Sequence, residues 1–201
     1  MTRESAPDPQ QATEVARWRK AERMRLIAER IAVDADTRSA LAAKIARDLD
    51  GIVDRGPGTV VSLYWPFRGE PDLRGWMRSV HDSGGRVALP VVTEKGQPLT
   101  FRLWEPGAPM ERGIWNIPVP AKGGEVIPTV TIAPLVGFDA ACFRLGYGGG
   151  YFDRTLASLE SRPTVIGVGY AFAAIATIRP QPHDIPMDWI VTGDGSPRKR
   201  A

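Results

Sequence analysis

The stretch "TVTIAPLVGF" (Thr129–Phe138), followed a few residues later by "RLGYGGGYFDRTLA" (Arg144–Ala157), decides the fold. The first segment is a run of apolar and β-branched residues, which is typical of a strand buried on both faces of a parallel sheet. The second segment places four glycines between Gly146 and Gly150, and the residues after them predict a helix over Tyr151–Leu159. A strand, a glycine loop and a helix in this order form one unit of an α/β fold.

Further strands and helices flank this unit. Apolar runs predict strands over Thr59–Trp65, Arg86–Val92, Thr164–Phe172 and Met187–Thr192, and a half-exposed strand, Leu99–Trp104, within the proline- and glycine-rich segment 93–128. Helical spacing of apolar residues predicts helices over 14–32, Thr37–Val53 (capped by Thr37 or Asp36) and Leu73–Ser83. This alternation predicts a three-layer α/β/α sandwich around a mainly parallel sheet, with ligand sites beyond the carboxyl ends of the strands.

Length and composition indicate one compact domain. The chain has 201 residues, of which 43% are hydrophobic and 24% are charged. We expect a disordered lead over residues 1–13, a single domain over 14–195 and a basic tail over 196–201. The net charge of +3 comes in part from that tail, and no nucleic-acid-binding motif is evident, so we expect no nucleic-acid partner.

The single cysteine, Cys142, excludes an intrachain disulfide and favours a reducing compartment. No apolar run approaches the ~20 residues of a membrane span, and the first residues lack the apolar core of a signal peptide. We therefore expect a cytoplasmic protein, monomeric and without a membrane partner.

The glycine loop predicts an anion site. Glycines permit positive φ angles and close approach of a ligand to the backbone, and the amides at the start of the following helix favour phosphate. Arg144 adds a forked donor, and Asp153, three residues after the last glycine, is suited to a Mg²⁺ ion that bridges phosphates. The loop is neither a Walker A motif nor a GxGxxG fingerprint. A structural alternative is a tight turn with Asp153 stabilising the start of the helix.

The ordered combination of "PLVGFDAACFRLGYGGGYFDRTLA", "GVGYAF" and "PHDIPMDWIVT" resembles the 5-formyltetrahydrofolate cyclo-ligase (methenyltetrahydrofolate synthetase) family. Upstream, "YWPFRGEPD", "RVALPVV" and "FRLWEPGAPMERGIWNIPVP" extend the resemblance to about residues 17–192. It implies a NagB/RpiA/CoA-transferase-like fold. The implied reaction is ATP-dependent closure of 5-formyltetrahydrofolate to 5,10-methenyltetrahydrofolate, with release of ADP and phosphate and with Mg²⁺ as cofactor.

The resemblance also implies a set of site residues. ATP contacts would come from Arg19, Lys20, Arg23, Arg144, Leu145, Gly146, Tyr147, Gly148, Gly149, Gly150, Tyr151 and Phe152. Substrate contacts would come from Trp65, Glu70, Tyr147, Gly148, Gly149, Gly150 and Tyr151. Asp153 and Asp184 would bind Mg²⁺, and Arg144, Tyr151 and Asp153 would act in catalysis.

Several of these residues have a plainer interpretation. Glu70 would lie in a turn before a helix, Trp65 in the core, Asp184 in an Asx turn, and Arg19, Lys20 and Arg23 on a solvated helix face. His183 and His81 are expected in solvent, and Cys142 has no role. At the level of function, the alternatives are a ligand-binding module without turnover, or an ATP-dependent enzyme acting on another small substrate.

Overall fold

The structure, a computed structural model, describes residues 9–201. Four α-helices lie within them: α1 (Pro9–Ala32), α2 (Ala35–Asp50), α3 (Arg74–Asp82) and α4 (Tyr151–Ser158). The strands are β1 (Val60–Ser62), β2 (Arg86–Val91), β3 (Thr100–Trp104), β4 (Met110–Arg112), β5 (Pro118–Pro120), β6 (Val130–Pro134), β7 (Gly137–Phe138), β8 (Arg144–Leu145), β9 (Thr164–Val168), β10 (Trp189–Val191) and β11 (Arg198–Lys199). Two 3₁₀ turns span Ile114–Asn116 and Ala171–Ala173.

One seven-stranded sheet organises the domain, in the order β11-β10-β9-β6-β1-β2-β3. The five inner strands run parallel to one another, whereas the edge strands β3 and β11 pair antiparallel with β2 and β10. Two small antiparallel pairs, β4 with β5 and β7 with β8, lie outside this sheet. The predicted α/β fold with a mainly parallel sheet is therefore confirmed.

Each face of the sheet is covered by a separate pair of helices. Ile132, Ile166 and Val191 belong to one core cluster, which contains α2 and α3 side chains such as Ile45 and Met77. The next residue along β6, and the preceding ones along β9 and β10, belong to a second cluster with α1 and α4 side chains: Ala133, Val165, Ile190, Leu26 and Leu156. Because successive strand residues point to opposite faces, this division makes three layers.

The chain ends differ from the sequence predictions. Helix α1 begins at Pro9, so residues 9–13 are helical rather than part of a disordered lead, and residues 1–8 lie outside the described range. Proline suits the first turn of a helix because the N–H it lacks has no partner there. The predicted basic tail contains β11, which pairs with β10. After it, the Arg200 N–H donates a hydrogen bond to the Asp188 carbonyl at 2.9 Å.

Two internal boundaries also differ. The predicted strand Thr129–Phe138 is two strands: β6 ends at Pro134, and the chain then turns out of the sheet so that β7 pairs with β8. The cap of α2 is Asp34, whose side chain accepts a hydrogen bond from the Thr37 N–H at 2.8 Å. The predicted caps, Thr37 and Asp36, lie inside that helix.

Candidate active site at the carboxyl edge of the sheet

A cavity of about 580 Å³ opens where β1, β2 and β6 end. It is enclosed by α1, by the segments after β1 and β6, by the 3₁₀ turn at Ile114 and by the glycine loop. This is the edge at which open parallel sheets bind ligands, and the volume suits a small molecule. All but one of the site residues named from the sequence line it: Arg19, Arg23, Trp65, Glu70, Arg144, Leu145, Gly146, Tyr147, Gly148, Gly149, Gly150, Tyr151, Phe152, Asp153 and Asp184.

The exception is Lys20, which is exposed and does not line the cavity. One residue along a helix is a rotation of about 100°, so Arg19 and Lys20 cannot face the same ligand. Arg19 and Arg23, four residues apart, share the face that meets the cavity.

The glycine loop has a backbone that other residues would strain. Gly148 and Gly150 have φ angles of +94° and +63°. A Cβ at Gly148 would lie 3.2 Å from the Arg23 guanidinium carbon. Gly150 is the N-cap of α4 and offers no side chain to the first amides of that helix. No N-cap side chain therefore competes with a ligand anion for these amides, and the anion site stays a prediction.

Two arginines supply positive charge beside the loop. Arg23 donates from Nε to the Gly146 carbonyl at 2.7 Å, while Arg144 packs over the Phe152 ring at 4.8 Å. The Arg144 side chain is only 7% exposed, and its Nε has no hydrogen-bond partner. Burial lowers the pKa of both guanidinium groups, and for Arg23 repulsion from Arg19 lowers the pKa further. An anion in the cavity would relieve both the burial of charge and this repulsion.

The two predicted metal ligands differ in their surroundings. Asp153 accepts from the Ile185 N–H at 3.2 Å, and its other oxygen is 3.5 Å from Arg144 Nη2. Both oxygens of Asp184 already accept hydrogen bonds. Arg19 donates to them from Nη1 and Nη2, and the Gln181 N–H donates to Oδ2 at 2.7 Å. Although burial raises the pKa of Asp184, the bonds from Arg19 and Gln181 outweigh it, and the net pKa is lowered.

The oxygens of these two carboxylates suit Mg²⁺, but two side chains are too few to complete its coordination shell without phosphate oxygens and water. Among residues 9–201, no cluster of three or more His, Cys, Asp or Glu side chains is arranged to hold a metal unaided. Mg²⁺ at phosphate sites commonly takes one or two carboxylates and completes its shell with water and phosphate oxygens. Asp153 is the more available of the two, since Asp184 must share its oxygens with Arg19.

Another part of the cavity lining is built around Glu70, which the glycine loop reaches through Tyr147. This side chain is buried, accepts from the Phe67 N–H at 2.9 Å and accepts from the Tyr147 hydroxyl at 2.9 Å. Burial raises the pKa of Glu70 to about 7, although the charge of Arg30 opposes the shift. Trp65 is partly buried, packs against one core cluster and also lines the cavity. Glu70 lies in a turn, as its plainer interpretation expects, and lines the cavity as well.

Sequence reasoning missed two other residues of this region. Trp115, 59% exposed in a left-handed conformation (φ +56°), meets Tyr151 edge-on with ring centroids 5.8 Å apart. Arg30 lies behind the cavity wall and donates to the Tyr147 hydroxyl. A signal for Arg30 was available, because it follows Arg23 by seven residues on the same helix face.

Of the three residues for which no role was expected, His81 and Cys142 lie away from the cavity, whereas His183 lies at its rim. His81 is exposed and Cys142 is buried in the core. His183 is exposed at the cavity rim, with Nε2 3.9 Å from Asp184 Oδ1. Within residues 9–201, none of the helices has the length and apolar character needed to span a bilayer.

Fold and site together define the class of protein: an α/β protein whose small-molecule cavity is lined by a glycine loop with neighbouring arginines and by a buried glutamate. The family model of the 5-formyltetrahydrofolate cyclo-ligase family matches residues 15–193. The chain belongs to that family.

Known relatives agree with this assignment. The chain is 27% identical to the 5-formyltetrahydrofolate cyclo-ligase of Haemophilus influenzae, over 71% of this chain and 80% of the relative. It is 30% identical to that of Mycolicibacterium smegmatis, over 67% and 74% respectively. The NMR structure of Aquifex aeolicus 5,10-methenyltetrahydrofolate synthetase superimposes with a TM-score of 0.78 at 26% identity, covering 90% of this chain and 92% of that one.

Proposed function

We propose that the protein catalyses the ATP-dependent cyclisation of 5-formyltetrahydrofolate to 5,10-methenyltetrahydrofolate, releasing ADP and phosphate. Membership of the family supports the reaction. The observation that carries the proposal is that one cavity is lined both by phosphate-type groups, the glycine loop and Arg144, and by a buried carboxylate acceptor, Glu70.

In the proposed reaction, the formyl oxygen attacks the γ-phosphorus of ATP, the bond from that phosphorus to the bridging oxygen breaks, and ADP leaves. N10 of the folate then attacks the activated formyl carbon, the carbon–oxygen bond breaks, and phosphate carries the oxygen away. N10 loses its proton, and the product keeps a C–N double bond. Phosphorylation is needed because an amide oxygen is otherwise a poor leaving group.

The protein's part in this reaction is alignment and charge stabilisation, which dominate catalysis of phosphoryl transfer. We assign the triphosphate to the amides of the glycine loop and to Arg23 and Arg144. Arg144 lines the cavity, and its buried Nε has no hydrogen-bond partner. A preorganised donor of this kind typically lowers the activation barrier by about 3 kcal/mol.

Asp153 would hold Mg²⁺, and Asp184 would join it where Arg19 leaves one of the Asp184 oxygens available. The ion would supply positive charge next to the phosphates. Tyr151, at the start of α4 and against Trp115, would line the cavity beside the reacting groups. Glu70 would accept hydrogen bonds from the amino and ring N–H groups of the pterin, and Trp65 would pack on its ring.

The test is the appearance of the methenyl chromophore after 5-formyltetrahydrofolate is added with ATP and Mg²⁺, with ATP omitted as the control. Parallel measurement of ADP release on a panel of formylated substrates separates this function from an enzyme for another small substrate. Binding of folate and ATP with no ADP release would show a binding module instead. A monomeric state and a cytoplasmic location stay predictions, testable by light scattering and cell fractionation.

A further inference from the structure

Arg30 is a buried arginine that the proposed reaction does not use. It lies near the end of α1, seven residues after Arg23, and is 3% exposed. Two helical turns separate the residues, so both side chains point toward the sheet edge. Arg23 lines the cavity whereas Arg30 does not. Arg30 therefore cannot act by touching a ligand there.

Its guanidinium group joins three separate segments of the cavity wall. Nε donates to the Arg68 carbonyl at 2.9 Å, in the segment after β1. Nη1 donates to the Leu135 carbonyl at 3.1 Å, directly after β6. Nη2 donates to the hydroxyl of Tyr147, in the glycine loop. A lysine could not make these bonds, because the contacts require the planar fork of donors that only arginine has.

These contacts fix the direction of the hydrogen bond that reaches Glu70. Arginine has donors but no acceptor, and a hydroxyl has a single proton. Tyr147 must therefore accept from Arg30 and give its own proton to Glu70 Oε1, 2.9 Å away. The Phe67 N–H occupies Oε2 at 2.9 Å. Glu70 is thus held as an acceptor on both oxygens, and its remaining lone pairs are available to a ligand.

Arg30 also contributes charge at this site. The charged groups facing Glu70 are Arg30 from α1 and Arg144 from β8, and Arg30 has the larger effect on its pKa. The phenols of Tyr147, Tyr64 and Tyr170 complete the titratable surroundings, and they stay neutral near pH 7 because their own pKa values are raised by burial. Burial raises the pKa of Glu70 to about 7 and the charge of Arg30 opposes that rise, so removal of Arg30 would leave less carboxylate at neutral pH.

We propose that Arg30 is a positioning residue for the folate-binding part of the site: acting through Tyr147, it orients Glu70 as a hydrogen-bond acceptor, and its positive charge favours the carboxylate form. The proposal rests on the proposed function for the identity of the ligand. It assigns Arg30 no contact with substrate.

The test measures kcat/KM for 5-formyltetrahydrofolate against pH in the wild type, Arg30→Met, Glu70→Gln and the double variant. We expect Arg30→Met to move the acid limb of the profile of kcat/KM against pH upward by about one pH unit. That shift corresponds to a loss of kcat/KM of about five- to tenfold between pH 6.5 and 7, and of less than about twofold at pH 8.5. The KM for ATP changes by less than about twofold. Arg25→Met, which removes an exposed arginine of the same helix, is the matched control and is expected to match the wild type.

The double variant separates positioning from a general structural role. If Arg30 acts through Glu70, then Arg30→Met adds less than about twofold in the Glu70→Gln background, because coupled residues are not additive. A loss of equal size at every pH, or a full additional loss in that background, overturns the inference.

Two further variants keep the test decisive if Arg30→Met does not fold. Arg30→Lys keeps the charge but loses the fork, and Tyr147→Phe keeps Arg30 but removes the donated proton. Both are expected to move the acid limb upward by less than Arg30→Met would, and an unmoved limb in both overturns the inference. The failure of the proposed function is distinct from this result: it is the absence of turnover in the wild-type protein.

Discussion

Replacing Glu70 with glutamine should stabilise the protein in a pH-dependent way. Burial raises the pKa of Glu70 from 4.5 to about 7, so the folded state holds its proton more tightly than the unfolded chain does. Below the unfolded pKa both states are protonated and there is no penalty. As the pH rises toward 7 the unfolded state ionises first, and stability falls. Above the folded pKa the whole penalty is present, about 3 kcal/mol at 1.36 kcal/mol per pH unit.

Glutamine does not titrate, so the free energy of unfolding of the Glu70→Gln variant does not fall in this way as the pH rises. From the same two pKa values, the difference between Glu70→Gln and the wild type should grow by about 2.5 kcal/mol between pH 5 and pH 8. An amide offers one acceptor in place of two, so either the Phe67 N–H or the Tyr147 hydroxyl loses its partner. That loss costs about 1–3 kcal/mol, but it is the same at both pH values and cancels from the comparison.

The assay is urea denaturation followed by circular dichroism at pH 5, 6, 7 and 8, with unfolding free energies extrapolated to water. Glu105→Gln, an exposed turn residue, is the control and should show no growing difference. A pH-independent difference between Glu70→Gln and the wild type would refute the reasoning, because it would mean that Glu70 titrates alike in the folded and unfolded chains. The variant should also have a lower but measurable kcat/KM for 5-formyltetrahydrofolate, since its stabilisation comes from removing a group that the site uses.

Four further outcomes are expected. Asp153→Asn should lower kcat/KM for ATP about 100-fold with an unchanged circular dichroism spectrum, and wild-type activity in this variant would remove the metal assignment. Arg19→Met should destabilise the fold by about 3 kcal/mol in urea denaturation, because it leaves a buried carboxylate unpaired, whereas the exposed Lys20→Met should change it by less than about 0.5 kcal/mol; equal effects would contradict the burial of Arg19. Gly148→Ala should raise the KM for ATP, because a side chain there strains the backbone and displaces Arg23, and an unchanged KM would argue against the loop as the phosphate site. Deleting Arg198–Ala201 should leave turnover unchanged in the methenyl assay while lowering stability by about 1 kcal/mol, since only an edge strand is lost; a large loss of turnover would show a role for the tail.

Local sequence patterns were sufficient for the elements that surround the site. The apolar runs predicted β1, β2, β6, β9 and β10 to within a few residues, because strands buried on both faces leave a continuous apolar signal. The boundaries failed where local chemistry could be satisfied in two ways. The chain after Pro134 is apolar enough to continue the strand, and only its pairing with β8 takes it out of the sheet.

The arginines of α1 show where a sequence pattern stops being informative. Arg19, Arg23, Arg25 and Arg30 lie within twelve residues of each other on one helix. Arg25 is exposed and pairs with Glu22 and Glu29, whereas Arg30 is buried among carbonyl oxygens. Each has the same side chain and the same helical backbone. Which of them is buried depends on the segments packed against the helix, and these come from more than 35 residues further along the chain.

The sequence by itself determined the layered α/β architecture, the family and the loop of bare amides with Arg144 and Asp153 beside it, because these depend on residue types close together in the chain. Only the tertiary structure decided that Lys20 faces solvent, that Asp184 is held by Arg19, and that Arg30 reaches Glu70 through Tyr147. The physical reason is that burial and hydrogen-bond partners, which set the charge and direction of these groups, come from segments distant in sequence.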